Sequence, residues 1–368
     1  MRIAQITHSY MPVIGGADVW VQMLREICEE MGHEVFVYQR PVQGVDDAQV
    51  RFIHSPLRAL LGTRGEFWTV PFGLPALRQE LQTFDALVVH YPNHHRMVEW
   101  HPRTVLVSHG VFWDDRPGSL RSSIKRGLAC RAYQKATAVV ANDTFFLREV
   151  GEDVLPDAKP FSEVEPGRWF IPNCVDAVRF SPTDPLPGLR NARTILVPRN
   201  VYRNRGIHLA IQAFAQVASE LRDVRLAIVG AVGQPDYARD CQEMVSDLGL
   251  DGRVVFFGPV PWAQMPNAYS AGELTLIPTL CGEGTSLAAL ESMACGVATI
   301  TTNVAGLADL PAVKCEPGAD SLAEAIREVW PRRENIAATQ QRVVREVYNL
   351  GNWRAAWAEI VRRLENGG

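Results

Sequence analysis

The chain has seven cysteines, Cys28, Cys130, Cys174, Cys241, Cys281, Cys295 and Cys315, but no Cys-x-x-Cys pair among them. An odd, scattered set argues against a disulfide framework or a zinc site and fits a reducing cytoplasm. Long apolar runs are missing too. No stretch approaches the roughly 18 apolar residues that cross a bilayer, and the opening MRIAQITHSYMPVIGG has no apolar signal core. The expectation is a chain with no spanning segment. Excess charge of either sign is also lacking: the formal net charge is −4, which excludes a general attraction to nucleic acid.

What is present is enough apolar material for more than one core. At 368 residues with 47% hydrophobic side chains, two domains are expected rather than one. The first half offers short β-rich runs at Arg2–Thr7, Glu34–Gln39, Ala86–Tyr91, Thr104–His109 and Ala138–Asn142. The second offers Thr194–Arg199, Val224–Gly230, Arg253–Gly258, Leu274–Thr279 and Val297–Thr302. Nearly all are apolar throughout, as strands covered on both faces must be. Helical patterns lie between many of them. In Gly206–Ala218, for example, Ile207, Ala210, Ile211, Phe214 and Ala218 fall on one stripe. Strand and helix in alternation predict an α/β fold of two Rossmann-like, doubly wound domains facing across a cleft. The Pro- and Gly-rich segment Pro182–Arg193 reads as the linker, and the amphipathic tail carrying Trp353, Trp357, Ile360, Val361 and Leu364 as a helix that packs on a domain.

Doubly wound sheets bind ligands where strand ends lead into helix N-termini. The stretch CGEGTSLAALESMACG, Cys281–Gly296, occupies such a place after the run Leu274–Thr279. Thr285 or Ser286 can cap the helix that follows, and the amides of Gly284, Thr285, Ser286 and Leu287 then suit a phosphate. Glu283 and Glu291 stand eight positions apart in it. Glu291 falls about two turns into the helix on the same face and can accept from ligand hydroxyls; on spacing alone it reads equally as a satisfied buried acid. Arg199 and Arg205 flank the loop after the run Thr194–Arg199 and can clamp a diphosphate. A loop holding Arg199, Arg203 and Arg205 also reads as a solvated surface until it is set beside the second strand end of the same sheet.

Together these segments resemble the retaining glycosyltransferases of family 4, which have the GT-B fold. Gly15 and Gly16 before a helix, with GHEV at Gly32–Val35, resemble the acceptor-side opening of that family. IPNCVDAVRFSP at Ile171–Pro182 resembles its passage into the second domain, with Cys174 replacing glycine. Arg199 and Arg205 match its Arg and Lys, and Glu283 and Glu291 its Glu-x7-Glu signature. The resemblance implies an acceptor-side domain over 1–181, with a C-terminal helix at 350–368 packing back on it, and a nucleotide-sugar domain over 182–349. It implies that Arg199 and Arg205 neutralise the leaving diphosphate, that Glu283 contacts sugar hydroxyls and Glu291 the ribose, and that the amides of Gly284–Leu287 lie near phosphate and sugar. His109, ending the run Thr104–His109, resembles the cleft histidine of the family; otherwise it reads as a strand-end histidine bonded to backbone. The usual EGFGL is EGTSL here, so donor-sugar preference does not transfer. No Asp-x-Asp occurs, which leads to the expectation of metal independence and no cofactor. Retention belongs to the resemblance, and a front-face mechanism fits the motifs better than a double displacement.

The activity so implied is transfer of a hexose-type sugar from a nucleotide-diphosphate sugar to a glycan, a lipid-linked oligosaccharide or a small molecule, as in polysaccharide biosynthesis. A nucleotide-sugar epimerase of the same architecture and a non-catalytic nucleotide-sugar binding protein are the alternatives. A nicotinamide oxidoreductase is disfavoured because Gly230-Ala-Val-Gly233 is not a Gly-x-Gly-x-x-Gly turn. His33 and the pair His94, His95 read as structural or surface residues. Arg121–Ala136 carries Arg121, Lys125, Arg126, Arg131 and Lys135 with no acid. It reads either as a peripheral contact with anionic lipid at the inner face of the membrane or as a solvated basic helix. Leu57–Phe72 has loop-like composition, with Phe67 and Trp68 placed to shape an acceptor pocket.

Overall fold

The computed structural model describes residues 1–13, 16–57, 66–151 and 158–366. The chain divides into two units, Met1–Pro172 with Gly351–Gly368, and Asn173–Leu350. The segment 173–181, which the linker reading leaves with the first domain, therefore groups with the second.

The first unit is built on strands β1 (Arg2–Ile6), β2 (Glu34–Gln39), β3 (Val50–Phe52), β4 (Ala86–Val89), β5 (Thr104–Ser108), β6 (Ala138–Ala141), β7 (Ser162–Glu165) and β8 (Arg168–Phe170). They form one sheet in the order β3-β2-β1-β4-β5-β6-β8-β7. Every pair is parallel except β7 with β8. Strands β4, β5 and β6 are buried at every residue, which is why their sequences are uninterruptedly apolar or small. The helix Gly16–Glu30 lays Trp20, Val21, Leu24 and Ile27 inward. The C-terminal helix Leu350–Glu365 brings Trp353 and Trp357 edge-on to Trp20, with ring centres 5.3 and 5.1 Å away. Three large rings in T-shaped contact join chain ends that are distant in sequence.

The second unit carries β9 (Arg193–Val197), β10 (Val224–Val229), β11 (Val254–Gly258), β12 (Leu274–Ile277), β13 (Ala298–Thr302) and β14 (Val313–Cys315). Their order is β11-β10-β9-β12-β13-β14, parallel throughout. The helical stripe read from the sequence is the helix Ile207–Val217, and Ile207, Ala210, Ile211 and Phe214 on it are wholly buried. The order of strands reverses between β9 and β12, so the loops after these two strands open at the switch point of the sheet. Arg199 follows one of them and Glu283 the other. The expected linker at Pro182–Arg193 is packed rather than free: Leu186 donates its amide to the Asn267 carbonyl at 2.9 Å, and Leu189 is buried. No helix among the described residues is long and apolar enough to cross a membrane.

Candidate active site

Two glycines bring the switch-point loops together. After β9 the chain passes through a single 3₁₀ turn, Arg203–Arg205, into Gly206 at φ +68°. A Cβ there would overlap the carbonyl oxygen of Pro278 just past β12, and the left-handed backbone disfavours other residues as well. Gly230, at the end of β10, likewise presses on the backbone of Arg199. These close approaches set both arginines beside the loop after β12.

Glu283 lies between them. One carboxylate oxygen, Oε2, pairs with Nη2 of Arg199 and with Nη1 of Arg205. Arg199 also donates to Thr279 Oγ1 at 2.9 Å and to Ser286 Oγ at 3.2 Å. Its Nε is buried without a hydrogen-bond partner among the described residues. Burial lowers both guanidiniums, Arg199 to about 10 and Arg205 to about 9, the second helped down by the charge of Arg199. Both remain cations at neutral pH. Two cations on one carboxylate leave a net positive charge in a half-closed place, which is a seat for an anion.

The helix Leu287–Ala294 starts at this seat. Ser286 is its N-cap residue by backbone geometry, but its side chain makes no capping bond. That corrects the expected cap. The Ser286 hydroxyl instead accepts from Arg199, and the Thr285 hydroxyl accepts from the Asn173 amide at 2.7 Å. The latter bond ties IPNCVD to the loop, a connection that neither motif announces alone. Glu291 sits one helical layer deeper. It accepts from the Tyr269 hydroxyl at 2.7 Å and from the Trp262 indole at 3.4 Å, and burial raises its carboxyl to about 7. The Arg179 guanidinium stacks over Trp262 at 3.4 Å from the ring centre. Sequence reading missed Tyr269, Trp262 and Arg179, since nothing in their local patterns points at Glu291.

Beside the arginines is a cavity of about 290 Å³, lined by Arg199, Arg205, Tyr202, Gly230, Val260 and Met265 among others. It joins a cationic end to an apolar one.

His109 lies in the other unit, at the end of β5. Its Nε2 is 3.0 Å from Nδ1 of His90, and the rings stack at an interplanar angle of 7°. The bonded partner is thus a second imidazole and not backbone, and His90 in turn meets the Gln5 side chain at 3.0 Å. Burial lowers His109 to about 4. Gly16 opens its helix as expected, whereas Gly15 lies outside the described residues. His94 and His95 are wholly buried, so the surface alternative fails for both. The loop expected at Leu57–Phe72 is helical from Glu66: a turn at Glu66–Thr69 and 3₁₀ winding over Val70–Leu77 follow the undescribed residues 58–65.

The basic segment is the helix Leu120–Lys135, and acids from elsewhere serve it. Lys125 is buried and paired with Asp115, Arg126 pairs with Glu149, and Arg131 forks onto Glu99 at 2.8 and 2.9 Å. The picture of a solvated helix without acidic partners is corrected at these three positions.

Residues 192–331 match the family described as Glycosyl transferases group 1, and residues 14–161 match Glycosyltransferase Family 4. The chain belongs to the family 4 glycosyltransferases. A similar curated protein is a subunit of the phosphatidylinositol N-acetylglucosaminyltransferase of Arabidopsis thaliana, 24% identical over 99% of this chain and 81% of that protein. Other curated relatives match over shorter shares of their own lengths, from 18% to 55%. Among solved structures, sucrose-phosphate synthase of Thermosynechococcus elongatus aligns over 100% of both chains with a TM-score of 0.81 and 17% identity. Anabaena HepE, solved with UDP and glucose, aligns over 98% of this chain and 99% of its own with a TM-score of 0.75 and 18% identity. At such identities these likenesses establish the GT-B fold for this glycosyltransferase.

Proposed function

We propose that this glycosyltransferase moves a hexose-type sugar from a nucleoside diphosphate sugar to a hydroxyl of a glycan, a lipid-linked oligosaccharide or a small molecule, with retention at the anomeric carbon. The observation that carries the reading is the carboxylate of Glu283 shared by Arg199 and Arg205 at the switch point, next to a cavity of about 290 Å³. A diphosphate is a better counterion for two guanidiniums than one carboxylate, so it displaces Glu283, which is then free to accept from sugar hydroxyls. The nucleobase takes the apolar end of the cavity, near Gly230, Val260 and Met265. The amides of Gly284, Thr285, Ser286 and Leu287 face the phosphate and sugar, and Glu291 accepts from the ribose.

In the reaction the bond from the anomeric carbon to the β-phosphate oxygen breaks, and its electron pair stays on that oxygen. Arg199 and Arg205 stabilise the charge that develops. The acceptor oxygen bonds to the anomeric carbon on the same face, and its proton passes to the departing phosphate oxygen. This needs no carboxylate nucleophile. With no Asp-x-Asp in the sequence, the two arginines and the helix dipole take the part that a metal ion plays elsewhere. His109 is assigned to the sugar by the family resemblance, as a neutral imidazole.

The protein acts in the cytoplasm and contacts anionic membrane peripherally. The support for that contact is the helix Leu120–Lys135, where Leu120 and Ile124 are 77% and 56% exposed one turn apart beside Arg121. A thermal-shift screen of nucleotide sugars identifies the donor, since ligands that bind only the folded state raise its melting point. UDP-glucose is the first to try. Turnover measured with and without acceptors then separates transfer from epimerisation, which needs no acceptor.

A further inference from the structure

The first unit holds a second concentration of side chains that the donor reading leaves unused. His8 stands just past β1, Tyr91 and His94 past β4, and His109 at the end of β5, at the carboxyl ends of three adjacent strands. Strand order reverses between β1 and β4, so this is the switch point of the first sheet. The turn Glu66–Thr69 lays Phe67 across them, and Phe112 follows β5. The Phe67 ring meets His8 at 5.4 Å, Tyr91 at 5.0 Å, His94 at 6.1 Å and Phe112 at 6.2 Å, each edge-on, while Tyr91 meets His109 at 5.7 Å. Phe67, Tyr91, His109 and Phe112 are each only half-buried. A core would cover these rings, yet here they form a continuous shelf.

The polar atoms on the shelf are uncharged. Burial pushes His94 down to about 3 and His109 to about 4, so both are neutral imidazoles, each with one donor and one acceptor nitrogen. The His94 Nε2 is buried with no hydrogen-bond partner among the described residues. The ions nearby are already engaged. The Lys125 ammonium donates to the Phe112 carbonyl at 2.6 Å and pairs with Asp115 at 3.6 Å. Asp18, whose charge acts on Tyr91, accepts from the Ser9 hydroxyl at 2.8 Å. Arg40, whose amide bonds the His8 carbonyl at 3.2 Å, is itself partnered.

We propose that this aromatic shelf binds the acceptor of the reaction, and that the part it binds is the uncharged ring of a sugar or other polyol. The C–H faces of such a ring pack on Phe67, Tyr91 and Phe112, and its hydroxyls bond to the imidazoles, a mostly apolar surface with few placed polar groups. A phosphate or carboxylate would lose its hydration against neutral rings, without a free counter-charge and beside Asp18. The word acceptor rests on the transferase reading; the binding of a neutral ring does not.

Saturation-transfer NMR on the full chain tests it, with methyl α-D-glucopyranoside, methyl α-D-mannopyranoside and myo-inositol as probes, each beside glucose 6-phosphate, mannose 6-phosphate and inositol 1-phosphate. Saturation is expected on the C–H protons of at least one neutral probe and weaker or absent on its phosphorylated counterpart. Phe112→Leu, which keeps an apolar body but loses the ring, should weaken that binding roughly threefold to tenfold. Tyr91→Phe, which keeps the ring, should weaken it less. UDP binding, measured separately, should be the same in both variants. Saturation of no neutral probe, equal or stronger saturation of the phosphates, or undiminished binding in Phe112→Leu overturns the proposal. If UDP fails to bind while a neutral probe binds, the transferase reading falls and the shelf stands; if UDP binds and no neutral probe does, only the shelf falls.

Discussion

The Tyr269 hydroxyl donates to Oε2 of Glu291 at 2.7 Å in a place closed to solvent, and this contact holds the acid that the sequence shares with its family. Burial raises the Glu291 carboxyl from the ordinary 4.5 to about 7. A raised acid lends stability that is complete below about pH 4.5 and is lost as pH rises through about 7. The ligand-free protein should therefore lose stability, of order 2–3 kcal/mol from this group, between pH 5 and 8. Glu291→Gln should remove that part of the slope, as read by melting temperature against pH. An unchanged slope in the variant would place the carboxyl in its ordinary range.

Donor binding should run the opposite way. Ribose hydroxyls donate to a carboxylate better than to a neutral acid, so donor KM should fall as pH rises from 6 to 8 in the wild type. In Glu291→Gln the profile should be flat and KM high, with kcat little changed, because the contact is made in ground and transition state alike. A wild-type KM independent of pH would count against the ribose assignment.

Glu283 should behave unlike Glu291. In Glu283→Gln the arginines lose their internal counterion, so UDP should bind roughly tenfold more tightly by calorimetry. Turnover should nonetheless fall by roughly 10²-fold to 10³-fold, since the sugar loses a contact that strengthens as its bond breaks. Weaker UDP binding in the variant would mean that Glu283 supports the arginines and does not compete for them.

Arg199→Ala and Arg205→Ala should each lose roughly 10²-fold to 10³-fold in turnover at saturating donor. Arg199→Ala should be the harder on stability, because Arg199 is 9% exposed and bonds Thr279 and Ser286 as well, and its loss leaves Glu283 with a single cation. Near-normal turnover in either would remove that residue from leaving-group stabilisation.

Gly206→Ala tests the scaffold beneath the site. Its added Cβ meets the Pro278 carbonyl in a left-handed backbone, so the variant should be destabilised by about 2 kcal/mol or more and lose donor binding with it. Wild-type stability would show that the two loops are not pressed together there.

The ten β-rich runs were legible because strands covered by helices on both faces must be apolar along their length, as Ala86–Val89 and Leu274–Ile277 are. Strands β3, β8 and β14, of three residues each, were not legible, because so short a segment carries no period. Strand β7, Ser162–Glu165, is half-exposed with two acids and reads as loop. At the site, Arg199, Arg205, Glu283 and Glu291 stood out by residue type at strand ends. Their pairing did not: the sharing of Glu283 by both arginines depends on Gly206 seating one loop on Pro278. Nor did Trp262 and Tyr269 announce themselves, since they reach Glu291 from an element that is remote in sequence.

The central claim is that a nucleoside diphosphate takes the place of Glu283 on Arg199 and Arg205. Calorimetric titration with UDP, GDP and ADP, each beside its own nucleoside, tests it most directly in the wild type and in the Arg199→Ala, Arg205→Ala double variant. The account predicts that at least one diphosphate binds the wild type roughly tenfold or more tightly than its nucleoside, and that the double variant binds the two alike. Equal affinity for diphosphate and nucleoside in the wild type, for all three bases, would contradict it.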